Sequence, residues 1–305
     1  MSARPHQFRD DVVYNAFRIF LAVGGRLPLA LTRPLTSSLG ILAMAFNPRD
    51  RRRTRDNLRI AFPDLDETGI RHLMRANAKH LGTLAAEVAW LGQASPSDVL
   101  DLCTATGIDH LWRAIETGPG AVLITGHCGN WELLNAWLGA SGIPMTIAVR
   151  DIYDPRLGAM ATELRERFGP QVVPRGSRAG RQLVSALVHH RVIGLLIDQD
   201  IRDIPGAFVP FFGRPAWTPS GAASLALHKP NPVVPAFCHR RADGRFGVEI
   251  HPPLMLPTSG SKEDQITELT ATATAAIEQQ IRRHPAQWVW MHRRWRTQPP
   301  YPPGE

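Results

Sequence analysis

The segment 121–134 constrains the fold of this chain more than any other stretch, because it joins an apolar run to a helical pattern through a glycine-flanked histidine. Residues 121–124 are apolar and partly β-branched, which predicts a strand buried on both faces. The run that begins at Trp131 has the apolar spacing of a helix packed on a sheet. His127 is therefore predicted to lie in a strand-to-helix turn, at the sheet edge where α/β proteins place reacting groups.

A carboxylate follows His127 five positions later, a layout typical of a catalytic base with an acidic partner. Residues five apart on one helix point in different directions, so a contact with Glu132 requires the histidine to lie in the turn. Gly126 and Gly129 allow such a turn, and Asn130 is a suitable N-cap for the helix after it. The alternative is an ordinary turn histidine followed by an ordinary helix-start acid.

Strand and helix patterns alternate over the rest of the chain, which predicts an α/β fold built on one mixed central sheet flanked by helices. The predicted strands are 121–125, 145–149, 172–174, 193–197, 233–237 and 246–250. The predicted helices are 107–117, 131–138, 157–168, 179–189, 220–227 and 262–283, with a further helical region over 51–94.

The chain has 305 residues, 44% of them hydrophobic and 20% charged, which indicates a globular fold with a substantial core. Its three cysteines, Cys103, Cys128 and Cys238, lie far apart and show no metal-ligand spacing. Such a sparse and odd-numbered set indicates a reducing compartment without a disulfide framework.

The formal net charge of +8 and the pI near 10.2 indicate an anionic partner, such as nucleic acid, anionic lipid headgroups or an acidic carrier protein. No nucleic-acid-binding module is recognisable, so we expect no nucleic acid partner. Trp288, Trp290 and Trp295 alternate with basic residues near the C-terminus, a pattern that suits a membrane interface. The alternative is a solvated basic face with tryptophans in the core.

Two apolar stretches near the N-terminus, 16–23 and 35–46, are each shorter than the roughly 20 residues needed to cross a bilayer. They predict amphipathic helices that lie in a membrane interface, with a single tilted anchor as the alternative. Polar residues interrupt the first stretch, which argues against a signal peptide. We therefore divide the chain into a membrane-associating helical segment (1–50), a main domain (51–297) and a Pro-rich tail (298–305).

Four clusters follow His127, each at or near a predicted strand end. Arg175 follows one short strand, and the acidic stretch 198–200 follows another. An aromatic, proline-rich loop that contains Arg214 comes next, and residues 231–235 begin a further strand. We expect these clusters to face the same crevice as the histidine.

In this order the clusters resemble the blocks of the lysophospholipid acyltransferase superfamily. Within it the chain is most similar to the late acyltransferases of lipid A biosynthesis, the lauroyl and myristoyl transferases of Gram-negative bacteria. A related branch, the actinobacterial acyltransferases of phosphatidylinositol mannosides, shares much of the pattern, so two classes of acceptor stay open. The stretches that carry the resemblance are 53–63, the His-x4-Glu block in 125–132, 198–200, 211–219 and 287–295.

The resemblance implies a glycerol-phosphate-acyltransferase-like fold, with residues 51–297 as the acyltransferase domain. It implies direct transfer of a fatty acyl chain from acyl-carrier protein or acyl-coenzyme A to a hydroxyl of a phosphorylated glycolipid, most of all a lipid A precursor. It implies no cofactor and no metal. It also places the protein on the cytoplasmic face of the inner membrane, either peripheral or held by a single N-terminal anchor.

Acyl transfer to a hydroxyl needs a base that takes the hydroxyl proton, and a neutral histidine suits that task. We therefore expect His127 to be the general base. Glu132 is expected to orient the imidazole and to stabilise its charged form, as the acid does in a hydrolase triad.

Guanidinium groups bind phosphate bidentately, so Arg175 is expected to bind the substrate phosphate, with Arg150 as a second candidate. For Arg150 the alternative is a local ion pair with Asp151 or Asp154. Asp198 is expected to position substrate hydroxyls or to hold an arginine, with Gln199 and Asp200 as candidates to share that task. Arg214 is a further substrate-binding candidate, and it lies in the loop whose aromatic side chains either line an acyl trench or simply pack, namely Phe208, Phe211, Phe212 and Trp217.

Two functions of other classes remain open at this point. A hydrolase would pair His127 with a nucleophile, either Cys128 or Ser220. A protein that binds membrane surfaces without catalysis would use neither the histidine nor a nucleophile.

Overall fold

A seven-stranded mixed sheet forms the centre of the fold in the computed structural model, which describes residues 8–150, 152–176 and 178–300, with side chains from residue 10 onward. The strands in chain order are β1 (Cys103–Thr106), β2 (Ala121–Thr125), β3 (Met145–Val149), β4 (Gln171–Pro174), β5 (Val192–Leu196), β6 (Gly206–Phe211), β7 (Arg214–Pro219), β8 (Val233–Arg240) and β9 (Phe246–Ile250). Across the sheet the order is β1-β9-β8-β2-β5-β3-β4, and β6 and β7 form a separate hairpin.

All neighbouring strands of the large sheet are parallel except β8 and β9. The predicted mixed central sheet flanked by helices is therefore confirmed. Because β2, β5, β3 and β4 run in the same direction, their carboxyl ends meet at one edge. That edge carries the residues described in the next section.

The helices in chain order are α1 (Phe8–Gly24), α2 (Leu29–Phe46), α3 (Pro48–Ala61), α4 (Glu67–Leu91), α5 (Pro96–Leu102), α6 (Ile108–Thr117), α7 (Trp131–Ala140), α8 (Pro155–Glu166), α9 (Ala179–Val188), α10 (Gly221–His228) and α11 (Lys262–Arg283). A short 3₁₀ turn, Pro285–Gln287, follows the last of these. The predicted helices all form, with bounds that differ from the prediction by a few residues.

The central strand β2 explains why the sequence shows an uninterrupted apolar run. Val122 and Ile124 pack into the core on one face of the sheet, which includes α9, α10 and α11. Ala121 and Leu123 pack into the core on the other face, which includes α6 and α7. Since both faces are covered, neither set of side chains can be polar.

Residues 206–219 form an antiparallel hairpin where the sequence predicted an aromatic loop. Phe212 and Gly213 occupy its two-residue turn with φ angles of 50° and 72°, the left-handed values that such hairpin turns require. Pro210 and Pro215 face each other across the ladder. Proline is tolerated here because strands β6 and β7 stand apart from the main sheet. Proline also hides the alternation of apolar and polar residues by which a strand is recognised in a sequence.

The tryptophan-rich C-terminal segment lies inside the protein, so the prediction that it meets a membrane is wrong. Trp288 and Trp290 are 0% exposed, and Trp295 packs against Phe211. The side-chain amide of Asn57 donates to the backbone oxygens of Trp290 and His292 at 2.7 and 2.8 Å. These large aromatic rings fill the space between the helical region and the sheet. The alternation of tryptophans with basic residues in the sequence does not reveal that the tryptophans are buried.

The Pro-rich tail begins at residue 298, and its residues 301–305 lie outside the described part of the chain. The N-terminal apolar stretches fall within α1 and α2. Of the described helices, α2 is long and apolar enough to cross a membrane, and most of its surface is not buried by the protein. Gly40 of α2 and Gly82 of α4 let these two helices cross with their backbones in close contact.

A buried carboxylate joins this helical layer to the sheet. Glu87 of α4 is 1% exposed and accepts hydrogen bonds from Arg240 of β8 at 2.5 and 2.6 Å. It also pairs with Arg33 of α2 at 3.0 Å and accepts from the Asn130 amide at 3.1 Å. His80 completes the group, with its Nδ1 atom 2.9 Å from Arg240.

Removal of this carboxylate should destabilise the protein strongly. Glu87→Ala leaves two partly buried arginines without their counter-charge, and we expect a loss of about 3–5 kcal/mol in the free energy of unfolding, measured by chemical denaturation. The matched control is Glu67→Ala, which removes an exposed glutamate that also bridges two arginines, Arg55 and Arg59. A loss for Glu87→Ala no larger than that of the control would contradict the assigned role.

Candidate active site

The turn between β2 and α7 has a backbone shape that only its glycines permit. Gly129 has a φ of +66°, and a Cβ there would lie 1.9 Å from the Cys238 oxygen. A Cβ on Gly126 would lie 2.9 Å from Asp198 Oδ2. The Asn130 side chain accepts from the Leu133 backbone N–H at 2.9 Å, so the predicted N-cap is confirmed.

The side chain that holds His127 is Asp198. The Nδ1 atom of His127 lies 2.8 Å from Asp198 Oδ1, and the backbone N–H of His127 donates to Oδ2 at 2.6 Å. The Trp288 indole N–H also donates to Oδ2, at 2.8 Å. Asp198 follows β5, the strand beside β2, so the register of two parallel strands brings the pair together.

The Asp198 carboxylate is 1% exposed, and its ionised form is strongly favoured. Burial by itself would raise the pKa of this carboxyl, but the hydrogen-bonded His127, together with His292 and the Trp288 donor, holds its pKa well below the usual value. An ionised Asp198 accepts the Nδ1 proton of a neutral His127. The lone pair of the imidazole is therefore on Nε2.

Glu132, the acid that the sequence assigned to His127, binds Arg165 instead. The Arg165 guanidinium donates to the Glu132 carboxylate at 2.5, 3.0 and 3.2 Å, which ties α7 to α8. Among the described residues no hydrogen bond joins Glu132 to His127. In this structure the orienting position that we predicted for Glu132 is occupied by Asp198, because the neighbouring strand ends closer to the imidazole.

Gln199 and His292 lie beside the His127 ring. The sequence assigned Gln199 only a shared task with Asp198, and it assigned no role to His292. The Gln199 amide nitrogen lies 3.2 Å from His127 Nε2 and 3.1 Å from His292 Nε2. The rings of His127 and His292 meet edge to face at 4.9 Å, and Trp131 flanks His127 at the same centroid distance. His292 was overlooked because it lies within the basic, tryptophan-rich stretch.

Arg150 and Arg175 come together at the carboxyl ends of β3 and β4. The two strands are parallel neighbours, and the Arg175 backbone N–H donates to the oxygen of Val149, the residue before Arg150, at 2.9 Å. Burial, followed by the charge of Arg150, lowers the pKa of Arg175. Asp154 pairs with Arg156 at 2.8 Å, and Asp151 lies outside the described residues. Two adjacent arginines at the edge that carries His127 form a candidate phosphate site.

Arg214 is exposed at the start of β7. Within the described part of the chain it makes no hydrogen bond with the residues around His127. Phe211 and Phe212, also predicted to line an acyl trench or to pack, are buried against each other at 4.9 Å and against the tryptophans of the C-terminal segment. Their role in this structure is packing.

The two candidate nucleophiles of the hydrolase hypothesis are poorly placed. Burial, followed by the nearby Asp198 carboxylate, raises the pKa of the Cys128 thiol far above its usual value, so the thiol stays protonated. Ser220 is 5% exposed, and no hydrogen bond among the described residues joins its hydroxyl to His127.

One group of the described residues has the composition of a metal site. The ligand atoms of His239, Glu249 and His284 lie within 4.8 Å of one another. The two imidazoles are stacked at 4.1 Å with an interplanar angle of 15°, so their lone pairs do not converge. Arg283 pairs with Glu249 at 2.9 Å and already neutralises the carboxylate. A metal ion would require both contacts to change.

Comparison with known proteins gives a consistent family. Residues 9–297 match the family described as bacterial lipid A biosynthesis acyltransferase. The chain is 33% identical over 201 residues to the phosphatidylinositol mannoside acyltransferase of Mycolicibacterium smegmatis. The matched region covers 65% of this chain and 62% of that protein. It is 26% identical over 280 residues to the lipid A biosynthesis lauroyltransferase of Escherichia coli K12, which covers 90% and 88%.

A lipid A biosynthesis palmitoleoyltransferase of Escherichia coli K12 is 25% identical over 276 residues, with 90% of this chain and 88% of that protein covered. Against the mycobacterial relatives the matched region is shorter, at 62% of the Mycolicibacterium smegmatis protein and 58% of its Mycobacterium tuberculosis counterpart. The chain thus spans about three fifths of the length of the mycobacterial relatives that it matches.

The environment of His292 predicts a specific dependence of stability on pH. Burial, followed by the charge of His127, lowers the pKa of His292 to about 4, from an ordinary value of 6.5. As the pH falls through this window the unfolded chain binds the proton first, so the folded state loses stability between pH 6.5 and pH 4. The shift corresponds to roughly 3 kcal/mol.

His292→Gln removes this titration. We expect the free energy of unfolding of the unsubstituted protein, measured by urea denaturation, to fall relative to that of the variant as the pH drops from 6.5 to 4. Parallel curves for the two proteins would show that His292 keeps an ordinary pKa.

Proposed function

This chain belongs to the bacterial lipid A biosynthesis acyltransferase family, and from that premise we propose that it transfers a fatty acyl chain from a thioester donor to a hydroxyl of a phosphorylated glycolipid. The observation that carries the proposal is the buried Asp198 carboxylate bonded to His127 at the carboxyl edge of the sheet. It leaves the Nε2 lone pair of the imidazole available to a substrate, since the His127 side chain is 21% exposed.

In the proposed reaction His127 Nε2 takes the proton of the acceptor hydroxyl as the oxygen attacks the thioester carbonyl carbon. Asp198 stabilises the imidazolium that forms, as the acid of a hydrolase triad does. The tetrahedral intermediate then expels the thiolate, which takes the proton back from His127. Direct transfer is supported by the buried, protonated Cys128 and by a Ser220 without a hydrogen bond to the histidine.

The acceptor is proposed to carry phosphate, because Arg150 and Arg175 stand together on the same edge as His127. A lipid A precursor is the favoured acceptor, since the family match extends over residues 9–297. A phosphatidylinositol mannoside is the second candidate, and its support is the 33% identity to the mycobacterial enzyme. Acyl-carrier protein and acyl-coenzyme A both supply the thioester that the mechanism needs.

An apolar cavity of about 340 Å³ between α2 and α4 is the proposed site for an acyl chain. Leu39, Ala43 and Met44 line it from α2, and Leu81 and Ala85 line it from α4. Met291 closes one side and directly precedes His292, whose ring contacts His127. The volume lies at the lower end of the range of small-molecule sites.

The N-terminal helices are proposed to bind the membrane surface. The α2 side chains at every third or fourth position, Leu31, Leu35, Leu39, Leu42 and Phe46, are 52% to 85% exposed and form one apolar stripe. The next helix, α3, and the first turns of α4 form a groove that is lined by arginines, namely Arg51, Arg52, Arg55, Arg59 and Arg71. Arginines next to a membrane-facing stripe can bind anionic headgroups.

Loss of the base should stop turnover without unfolding the protein. We expect His127→Ala to lower acyl transfer by about 10²–10⁴-fold, measured with purified protein, an acyl-coenzyme A or acyl-carrier-protein donor and a lipid A precursor. Cys128→Ala and Ser220→Ala are the controls, and both should keep near-normal activity. Inactivation by either control, in addition to that by His127→Ala, would support the hydrolase instead, because that mechanism needs both the base and the nucleophile.

Mass spectrometry of lipids identifies the acceptor when a deletion strain is compared with strains that carry the unsubstituted gene or His127→Ala. A deletion strain should lack one acyl chain on a phosphorylated glycolipid, and the unsubstituted gene should restore it while His127→Ala does not. An unchanged lipid profile together with inactive purified protein would contradict the proposed function.

Membrane binding is tested on the exposed leucines of α2. We expect Leu31→Asp with Leu35→Asp to abolish sedimentation with vesicles that contain phosphatidylglycerol, because charged side chains oppose burial among acyl chains. The matched control is Val188→Asp, which changes an apolar residue of α9 that is 50% exposed. Equal loss of binding in the control would point to a general effect of charge rather than to α2.

A further inference from the structure

The side chain of Gln199 lies beside the proposed base. His127 Nδ1 donates to Asp198, which leaves Nε2 as the acceptor. The Gln199 amide nitrogen lies 3.2 Å from that atom, 3.4 Å from His127 Nδ1 and 3.1 Å from His292 Nε2. A primary amide has two N–H groups, so the contact with His292 leaves the other N–H beside the His127 ring.

His292 is suited to hold this amide. Its low pKa keeps the ring neutral at ordinary pH, so that Nε2 can accept a hydrogen bond. Its backbone oxygen is fixed by the Asn57 amide at 2.8 Å. Its Nδ1 atom is buried without a hydrogen-bond partner, so the contact with Gln199 is the ring's one hydrogen bond among the described residues.

Three backbone N–H groups of the turn are engaged elsewhere. The amide of His127 donates to Asp198, that of Gly129 to the Gln287 oxygen at 2.6 Å, and that of Asn130 to the Cys238 oxygen at 2.8 Å. A tetrahedral oxyanion formed beside His127 therefore finds none of these three donors free. The nearest side-chain donor to Nε2 is the Gln199 amide.

We propose that Gln199 is a catalytic residue that donates a hydrogen bond to the oxyanion, and that His292 is the positioning residue that holds its amide. The assignment rests on the proposed function, since it requires an acyl-transfer intermediate. The acceptor hydroxyl binds at His127 Nε2, and the Gln199 amide remains bonded to His292. The other N–H of the amide is then beside the reacting carbonyl group.

The step balances without any further reactant. As the acceptor oxygen bonds to the carbonyl carbon, its proton passes to His127 Nε2 and the carbonyl electron pair moves to oxygen, where the Gln199 N–H meets it. Collapse of the intermediate restores the carbonyl and breaks the carbon–sulfur bond. The thiolate leaves with the proton from His127, and the imidazole is neutral again.

The first test is Gln199→Ala in the acyl-transfer assay. Loss of one preorganised oxyanion donor should lower kcat by about 10²–10³-fold. The KM values for donor and acceptor should stay within about twofold, because the bond forms only in the transition state. The matched control, Gln182→Ala, changes an exposed glutamine of α9 and should leave kcat unchanged.

The second test separates positioning from simple structural support. His292→Ala should lower kcat as Gln199→Ala does, and the double variant should be no slower than Gln199→Ala alone, because both remove the same hydrogen bond. His292→Gln, which keeps an acceptor for the amide, should restore part of the activity. Gln199→Glu keeps the size but places a carboxylate beside His127, so the acid limb of the kcat/KM profile should move to higher pH.

Thermal unfolding of each variant shows whether it is folded. If Gln199→Ala is folded and keeps normal kcat while His127→Ala is inactive, the oxyanion role is wrong and the proposed function stands. If the losses in Gln199→Ala and His292→Ala multiply in the double variant, the positioning role is wrong. An active His127→Ala would overturn the proposed function and this assignment together.

Discussion

The buried Asp198 carboxylate is the interaction on which the arrangement of this site depends. Three donors from two distant parts of the chain meet it, namely the ring and backbone N–H of His127 and the indole N–H of Trp288. A charge buried to this degree is tolerated only when its oxygens are satisfied in this way. The same contacts that stabilise the charge fix the tautomer of the imidazole, so the stability of the fold and the chemistry of the site share one constraint.

A second buried carboxylate, Glu87, holds the other side of the turn. It joins Arg33 of the apolar helix α2 to the Asn130 cap that starts α7. The apolar N-terminal layer is therefore bonded to the segment that carries His127 rather than simply packed beside it. We infer that an acyl chain held between α2 and α4 would be fixed in position relative to the base.

Much of the fold could be predicted because periodicity is a local property. Strand β2 and helices α7 and α11 were predicted to within two residues, since a strand covered on both faces must be apolar throughout and a surface helix must repeat its apolar positions. The hairpin at 206–219 was missed because its prolines and aromatic residues hide any alternation. The tryptophans of the C-terminal segment were assigned to a membrane because their burial depends on distant helices.

By itself the sequence determined the strand, the glycine turn and the helix that present His127, because those signals lie within fourteen consecutive residues. Only the tertiary structure decided which acid reaches the imidazole. Glu132 is close in sequence, yet the helix directs it to Arg165, whereas Asp198 is 71 residues away and arrives through the pairing of β5 with β2. Gln199 and His292 join the site in the same way, since hydrogen bonds between distant segments leave no periodic signal in the chain.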